Sequence, residues 1–252
     1  MRLVSRLHDE HPKSTMQATL LNTYRRLRVL YKQALRIEPY VPLQTSTELE
    51  FHGNDYCGWN IPRDSLRRAS VVVDVGLGED ISFTTSLMAK YGCAAHGFDP
   101  TPRAIRFIRE SAPPGFVLHE VGVAAQRGPA EFYLPNEEAH VSGSLTKAGH
   151  VGSKKIQVQL ITLGDVFKRV GCERIDLLKL DIEGAEYALL ASDDFRRWAP
   201  NIETICIEFH HRWEVFGQRS TADAVKTLND LGFSCAWRSP VSNEEFLFVR
   251  RH

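Results

Sequence analysis

The amino-acid sequence predicts an α/β fold with a mostly parallel sheet that ends in an antiparallel pair of strands. From residue 70 onward, short apolar runs rich in β-branched residues alternate with segments of helical period. The last two strand-like runs, 233–237 and 246–249, are separated by too few residues for a crossover helix, so they must be antiparallel. The 252 residues are enough for one large domain or two small ones.

The predicted elements follow one another in order. Residues 71–75 form a buried strand that ends at a glycine-containing turn, and a helix follows to about Tyr91. After a second strand at 94–98, Thr101 is a natural N-cap and Pro102 a natural first residue of a helix. The other predicted elements are strands at 116–121, 156–160, 175–180 and 202–209, a hairpin element at 131–134, a polar loop at 136–153, and helices at 164–170 and from Ser220 to Leu231.

The N-terminal segment differs in charge from the rest of the chain. Residues 1–40 contain eight basic and three acidic residues, so this segment carries +5 and the remainder −5. We expect a helix here, whose apolar face packs on the rest of the chain or on a second subunit of a homodimer rather than on a membrane or nucleic acid. The sequence thus predicts a helical extension at 1–50 and the α/β domain at 51–252. The apolar face of the helix consists of Leu20, Tyr24, Leu27, Tyr31 and Ala34.

The composition excludes several classes of protein. The formal net charge is zero, which argues against a polybasic nucleic-acid-binding protein. The five widely spaced cysteines fit neither a disulfide framework nor a clustered zinc site, and they favour a reducing compartment. No apolar run is long enough to span a membrane, and the N-terminus lacks the apolar core of a secretory signal. We therefore expect a cytoplasmic location.

The turn after the first strand carries a chemical signal. It reads Gly-Leu-Gly-Glu-Asp-Ile at residues 76–81, so Ile81 stands where a dinucleotide-binding turn has its third glycine. Glu79 and Asp80 would repel a pyrophosphate, but they would attract a ligand that carries an ammonium and a sulfonium, as S-adenosylmethionine does. Asp99, at the end of the second strand, is placed to accept both ribose hydroxyls of such a ligand.

Four longer segments resemble one family in order and spacing: VVVDVGLGEDISF, HGFDPTPRAIRFI, IDLLKLDIEGAEYALL and IEFHHRW. With YCGWNIP ahead of them, they resemble the FkbM family of S-adenosylmethionine-dependent methyltransferases over roughly residues 51–250. The Lys-x-Asp-x-Glu-Gly-Ala-Glu run at 179–186 is the most telling part, whereas Asp80 stands where the general class I pattern has a further glycine. The resemblance implies a Rossmann-like class I methyltransferase sheet of seven strands in the order 3-2-1-4-5-7-6, with the last strand antiparallel.

The resemblance also implies the site residues. The first strand and its glycine turn would surround the amino-acid end of the cofactor, the acid after the second strand its ribose, and the residues after the third strand its adenine. The end of the fourth strand would lie between the cofactor and the acceptor. The implied cofactor-binding residues are Asp74, Gly76, Leu77, Gly78, Asp99, Pro100, Gly122, Val123 and Asp181.

The reaction itself needs few catalytic groups. Methyl transfer is an in-line displacement at an activated carbon, so the enzyme mainly aligns the acceptor with the sulfonium and excludes water. An alcohol must also lose its proton, and His210 and His211 are candidate bases because an imidazole titrates near neutrality. Strand alternation puts these two on opposite sides, so at most one serves as the base. Asp181 completes the catalytic candidates.

The acidic residues near the fourth and fifth strands have more than one interpretation. Those of the run at 179–186 either serve the chemistry or form a charge network with Lys179 that ties strand to helix. Asp181, Glu208 and His210 could also gather a divalent cation. Because their spacing has no tight ligand motif, we expect no metal.

The acceptor pocket is the least predictable part of the molecule. Tyr56 and Trp59 either cover the pocket or pack in the core, and the polar segment 140–144 either closes over it or is plain surface. Fold and cofactor motifs say nothing about a pocket that is built from loops and the N-terminal helix.

The sequence thus predicts an S-adenosylmethionine-dependent methyltransferase, with S-adenosylhomocysteine as the demethylated product. We expect O-methylation of a hydroxyl on a small molecule or sugar. One alternative is an NAD(P)-dependent oxidoreductase on a similar sheet, although the turn lacks the third glycine. The other is a non-catalytic protein that binds the cofactor, which the presence of Gly76, Gly78 and Asp99 disfavours.

Overall fold

The computed structural model describes residues 15–135, 143–145 and 151–252. Its strands are β1 (Leu49–His52), β2 (Trp59–Pro62), β3 (Val71–Val75), β4 (Ala94–Phe98), β5 (Phe116–His119), β6 (Gly122–Val123), β7 (Gly128–Pro135), β8 (Val151–Ile161), β9 (Ile175–Leu180), β10 (Ile202–Glu208), β11 (Phe233–Arg238) and β12 (Glu245–Arg250). Its helices are α1 (Thr15–Ala34), α2 (Ser82–Tyr91), α3 (Pro102–Ser111), α4 (Leu163–Val170), α5 (Glu186–Ala191), α6 (Asp193–Trp198) and α7 (Gly217–Asp230), with a 3₁₀ turn at Ala199–Asn201.

The central sheet has seven strands in the spatial order β5-β4-β3-β9-β10-β12-β11. The first five of these are parallel to their neighbours, and β12 runs antiparallel to both β10 and β11. Numbered along the chain, the order is 3-2-1-4-5-7-6, which is the order that the resemblance implies. The predicted α/β fold class is confirmed.

Both faces of this sheet are buried. Val73 and Leu178 belong to the larger apolar cluster, whereas their neighbours Val72 and Leu177 belong to a second cluster on the opposite face. Successive side chains of a strand point to opposite faces, so each strand supplies both cores. This explains the continuous apolar runs in the sequence, which are typical of central parallel strands.

A smaller three-stranded sheet, β6-β8-β7, lies outside the central one. The hairpin element that the sequence predicts at 131–134 is part of β7, which pairs antiparallel with β8. The predicted loop at 136–153 is shorter at its end, because β8 already begins at Val151. Residues 136–142 and 146–150 lie outside the described part of the chain.

Some element boundaries differ from the prediction. The helix expected to begin after Ser220 is α7, which begins at Gly217, and the Ser220 hydroxyl donates to the carbonyl of Phe216 inside its first turn instead of capping it. The hairpin of β1 and β2 and the short helices α5 and α6 were not predicted. They are too short for a periodic signal, so only their tertiary contacts define them.

The N-terminal helix forms as predicted, but its apolar face does not pack on the α/β domain. Leu20, Tyr24, Leu27 and Tyr31 are all exposed, whereas Val29 is buried. Of the two expected partners of this face, the α/β domain is wrong, and a second subunit stays a prediction. Among the described helices, none is long and apolar enough to cross a membrane.

The segment after α1 is anchored by the buried carboxylate of Glu38. Its oxygens pair with the Lys32 ammonium at 3.0 Å, the Arg212 guanidinium at 2.9 Å and His211 Nε2 at 2.9 Å. Burial opposes ionisation, but the hydrogen bonds with His211 and Arg212 outweigh it and hold the pKa of Glu38 well below its ordinary value. The N-terminal extension is thus fixed to the loop that follows β10.

Candidate functional site

A cavity of about 330 Å³ opens at the carboxyl ends of the central strands. This is the edge at which ligands bind in open α/β sheets, and the volume is within the range of small-molecule sites. Eight of the nine residues that the resemblance implies for cofactor binding line it: Gly76, Leu77, Gly78, Asp99, Pro100, Gly122, Val123 and Asp181.

Close approach of two strand ends explains the first glycine of the turn. Gly76 adopts a φ of +81°, and a Cβ built on it would lie 1.7 Å from the carbonyl oxygen of Asp181. Any side chain would therefore push the β3 turn away from the end of β9. Gly76 also donates its N–H to the carbonyl of Phe98 at 3.0 Å, which joins the turn to β4.

The ammonium of Lys179 lies beneath this turn and is almost completely buried. It donates to the carbonyl of Gly76 at 2.9 Å, pairs with Asp74 Oδ1 at 3.1 Å, and lies 3.9 Å from Asp181 Oδ2. Burial disfavours the charged form, but Asp74 and Asp181 outweigh it and raise the pKa of Lys179. Lys179 is therefore a permanent buried cation that joins β3, the glycine turn and β9.

Asp74 is the one implied cofactor residue that does not line the cavity. Its carboxylate is buried, accepts a hydrogen bond from the Thr84 hydroxyl, and pairs with Lys179. The β3 strand turns its side chain toward α2 rather than toward the cavity. Asp74 therefore acts on the glycine turn through Lys179.

Asp99 braces the glycine turn from the end of β4. Its Oδ2 accepts the backbone N–H groups of Leu77 and Gly78 at 3.0 and 3.1 Å, and its Oδ1 accepts the N–H and hydroxyl of Thr101 at 2.8 and 2.6 Å. Burial raises the pKa of Asp99 despite these four donors. Since a carboxylate has about four acceptor sites, a ribose hydroxyl would replace one of these donors.

Asp181 and Glu183 form the acidic wall of the cavity. Burial raises the pKa of Asp181 to about 6, because it outweighs the opposing attraction of Lys179, and the charge of Glu183 raises it further. Asp181 is therefore a carboxylate at neutral pH that can still accept a proton. Glu183 is held in a left-handed conformation with a φ of +52° beside Gly184.

His210 lies behind this acidic wall and is not among the residues that line the cavity. Its Nδ1 is 3.0 Å from Glu186 Oε1, and its Nε2 is 3.2 Å from Glu183 Oε2 and 3.9 Å from Asp181 Oδ1. Burial alone would lower the pKa of His210, but hydrogen bonds with Glu183 and Glu186 raise it well above its ordinary value. The expected near-neutral pKa is therefore wrong, since His210 is an imidazolium at neutral pH.

His211 faces away from the cavity, as strand alternation predicts for one of the two histidines. Its Nε2 bonds to Glu38 of the N-terminal segment at 2.9 Å, and the ring is buried there. His211 is not among the residues that line the cavity, and its contact in the described part of the chain is with the N-terminal segment.

A metal ion has a candidate place beside the same residues. One ligand atom each from Asp181, Glu183 and His210 lie within 4.8 Å of one another, whereas Glu208, which the sequence suggested as a ligand, is not part of this group. A cation there would have to displace the proton that His210 retains. The acidic groups are therefore already partly neutralised by this imidazolium.

The structure adds lining residues that no local sequence signal indicated. They come from the β1–β2 hairpin, α3, β7, the segment 143–145, β8 and the turn after β9, and include Cys57, Arg103, Phe132, Leu145, Leu160 and Ile182. Of the two aromatic residues proposed as a cover, Tyr56 lines the cavity and Trp59 packs in the core. Gly143 of the predicted gate lines the cavity, and residues 140–142 lie outside the described chain.

Comparison with known proteins identifies the family. Residues 67–235 match the model of the methyltransferase FkbM domain, which is more than half of the chain. The chain belongs to the FkbM methyltransferase family. The oxidoreductase alternative is thereby excluded, and S-adenosylmethionine is the cofactor of this FkbM protein.

Two curated relatives are methyltransferases. The methyltransferase sdnD of Sordaria araneosa is 37% identical over 90 residues, which is 32% of this chain and 32% of the relative. The 2-O-methyltransferase NoeI of Sinorhizobium fredii is 27% identical over 136 residues, which is 48% of this chain and 56% of the relative. The matches therefore span only about one third and one half of these relatives' lengths.

Solved structures with a similar fold are more distant in sequence. The fibrillarin of Aeropyrum pernix, solved with natively bound S-adenosyl-L-methionine, is 12% identical with a TM-score of 0.41, over 84% of this chain and 86% of that one. The fibrillarin pre-rRNA processing protein of Methanococcus jannaschii is 11% identical with a TM-score of 0.44, over 73% and 67%.

The cavity of the FkbM protein fits this cofactor. Its lining includes the carboxylates of Asp80 and Asp181, which favour a ligand that carries an ammonium and a sulfonium, whereas the carboxylate of Glu79 pairs with Arg103 at 2.6 Å. Leu77, Val123 and other apolar side chains also line the cavity, which suits a purine ring. Because Gly76 and Gly122 have no Cβ, the β3 turn can lie against the backbone of Asp181, and β6 can lie against the side chain of Leu160.

Replacing the buried ammonium tests the role of Lys179 in this arrangement. Lys179→Met should lower the free energy of unfolding by about 3–5 kcal/mol, because Asp74 is left as an unpaired buried charge. Urea denaturation measures the loss, and Lys179→Met with Asp74→Asn should recover part of it. The control Lys226→Met removes an exposed pair with Asp230 and should change stability by less than about 0.5 kcal/mol. Equal losses in both lysine variants would contradict this role.

Proposed function

We propose that this FkbM protein methylates a hydroxyl oxygen of a small molecule or sugar. The observation that carries the proposal is the carboxylate of Asp181, which lines the cavity beside the glycine turn and has its pKa raised to about 6 by burial. A carboxylate with this pKa is ionised at neutral pH and is basic enough to take the proton of a hydroxyl as it is methylated. The 2-O-methyltransferase activity in the name of the relative NoeI supports the same acceptor chemistry.

The residues have separate tasks in this mechanism. S-adenosylmethionine supplies a methyl group that its sulfonium has already activated. Gly76, Leu77 and Gly78 would hold the amino-acid end of the cofactor, and Asp99 would keep their N–H groups in place. Gly122 and Val123 would contact the adenine. Alignment of the acceptor with the methyl group and exclusion of water then supply most of the rate enhancement.

Asp181 is proposed to orient the acceptor hydroxyl and to receive its proton. His210 contacts Asp181 from behind and is protonated, so it has no lone pair with which to act as the base. We assign it a positioning role: its positive charge lowers the pKa of Asp181 and keeps this carboxylate ionised at neutral pH. Glu186 in turn fixes the imidazole through Nδ1.

The charge of Asp181 makes cofactor binding depend on pH. Since burial raises the pKa of Asp181 to about 6, acidification through this value removes the charge that attracts the sulfonium. S-adenosylhomocysteine is the reference ligand, because its sulfur is uncharged. Between pH 7.5 and pH 5, the ratio of the affinity for S-adenosylmethionine to that for S-adenosylhomocysteine should fall at least about fivefold. Calorimetry with both ligands measures the ratio.

Two substitutions test whether this pH dependence comes from Asp181 or from another carboxylate. Asp181→Asn should abolish the pH dependence of the affinity ratio. The control Asp223→Asn changes an exposed residue outside the cavity and should leave the dependence unchanged. A ratio that still falls on acidification in Asp181→Asn would assign the effect to another group.

His210 is tested by the position of this transition. His210→Gln should move the pH at which the affinity ratio falls upward by about one unit, because Asp181 loses a neighbouring positive charge. At pH 8.5 the variant should bind S-adenosylhomocysteine as the wild type does. The exposed His252→Gln is the matched control. An unchanged transition in His210→Gln would remove His210 from the positioning role.

The acceptor class is tested with a labelled methyl group. The protein is incubated with methyl-labelled S-adenosylmethionine and separate sets of methyl glycosides, phenols and primary amines. Transfer to the glycosides or phenols as a stable ether, lost in Asp181→Asn, is the expected result. Transfer confined to the amines would overturn the proposed O-methylation while leaving methyltransferase activity in place.

A further inference from the structure

One face of α1 exposes a row of large apolar side chains. Five large apolar side chains, Leu20, Tyr24, Leu27, Leu30 and Tyr31, are each 57% to 66% exposed. They recur at spacings of three and four residues, so they form one continuous row along the helix. Single exposed apolar residues are normal on a protein surface, but a row of this size marks an interaction site.

The row is held away from the rest of the protein. Val29 is buried, and Gln33 donates to Asn243 Oδ1 and to the carbonyl of Pro39 at 3.0 and 3.2 Å. Successive residues of an α-helix are rotated by about 100°, so Val29 lies about 160° around the helix from Leu27. The side of α1 that contacts the protein is thus opposite to its most apolar side.

The charge of the segment indicates what the row binds. Residues 15–37 contain five basic residues, Arg25, Arg26, Arg28, Lys32 and Arg36, and no acidic one. Arg28 and Arg26 lie on the two flanks of the row, about 80° and 120° from its centre at Leu20. Apolar side chains between basic flanks are typical of helices that lie in the headgroup region of an anionic bilayer.

We propose that α1 binds the surface of an anionic membrane. The helix lies in the plane of the interface, with Leu20, Leu27 and Leu30 in the acyl boundary and the rings of Tyr24 and Tyr31 at the level of the headgroups. The flanking arginines contact lipid phosphates. The occupant is a phospholipid surface with negative headgroups.

A second copy of this chain satisfies the observations less well. Lys32 is already paired with Glu38, but pairing the two apolar rows would still bring together two sets of four arginines, without any acidic side chain between residues 15 and 37 to neutralise them. Helices that pair with themselves in coiled coils usually place opposite charges beside the apolar seam. An anionic lipid surface supplies those opposite charges.

Ion pairs fix α1 to the methyltransferase domain. Lys32 on α1 and Glu38 after it are joined to Arg212 and His211, which follow His210 in the chain. Binding of α1 to a bilayer would therefore hold the whole protein at the surface in a fixed orientation, because the helix is not attached through a free linker.

Vesicle sedimentation of the full chain tests the proposal. The protein should bind vesicles of equal parts phosphatidylcholine and phosphatidylglycerol at least about tenfold more tightly than vesicles of phosphatidylcholine alone, and high salt should weaken this binding. Leu27→Gln with Tyr31→Gln should abolish it, and Arg26→Gln should reduce it. The control Val117→Gln replaces an exposed apolar residue of the central sheet and should bind as the wild type does.

Three further measurements make the result decisive. Thermal melting and S-adenosylhomocysteine binding should be unchanged in the α1 variants, since the substituted side chains are exposed and lie outside the cavity. Equal binding to both kinds of vesicle, or none to either, would overturn the proposal. Light scattering that shows a dimer in the wild type and a monomer in Leu27→Gln with Tyr31→Gln would overturn it too, and would assign the row to a second copy.

Discussion

The candidate site depends on one buried positive charge. The ammonium of Lys179 bonds to the carbonyl of Gly76 and to Asp74, and it lies near Asp181, so it joins the ends of β3 and β9 at the point where the cavity opens. The two strands are adjacent and in register, with Asp74 opposite Lys179. A buried charge without partners would cost several kcal/mol, which fixes both carboxylates around it. The conformation of the glycine turn therefore depends on the ion pair between Lys179 and Asp74 and not on the residues of the turn alone.

The acidic wall of the cavity has more carboxylates than cations around it. Four carboxylates, those of Asp74, Asp181, Glu183 and Glu186, surround Lys179 and His210. Burial raises the pKa of Asp181 to about 6, because it outweighs the attraction of these two cations. A cationic ligand relieves this imbalance. The carboxylates of this wall therefore favour a sulfonium over the neutral thioether that remains after methyl transfer.

The sequence predicts the central sheet and the cofactor edge because their signals are local. A run such as 71–75, with a glycine turn directly after it, specifies both a buried strand and the conformation that Gly76 needs. The opposite wall of the cavity has no such signal. Phe132 and Leu160 reach the cavity only because β7 and β8 pair with β6 in a separate sheet, in which Leu160 lies opposite Gly122. The protonation of His210 has no local signal in the sequence either. It results from the contacts of Glu183 and Glu186 with the same imidazole ring, which only the fold brings together.

The two adjacent histidines after β10 contact different parts of the protein. His210 points to the acidic wall, where Glu183 and Glu186 keep it protonated, and His211 points to the other side, where Glu38 holds it. Both histidines lie beyond the end of β10 at Glu208, where the Trp213 N–H donates to the carbonyl of His210 and closes a turn that separates the two side chains. Glu38 also pairs with Lys32 of the N-terminal helix. The last turn of α1 is therefore connected, through Glu38 and His211, to His210 at the acidic wall. A surface that binds α1 is therefore mechanically linked to the acceptor side of the cavity, even though no residue of the helix lines it.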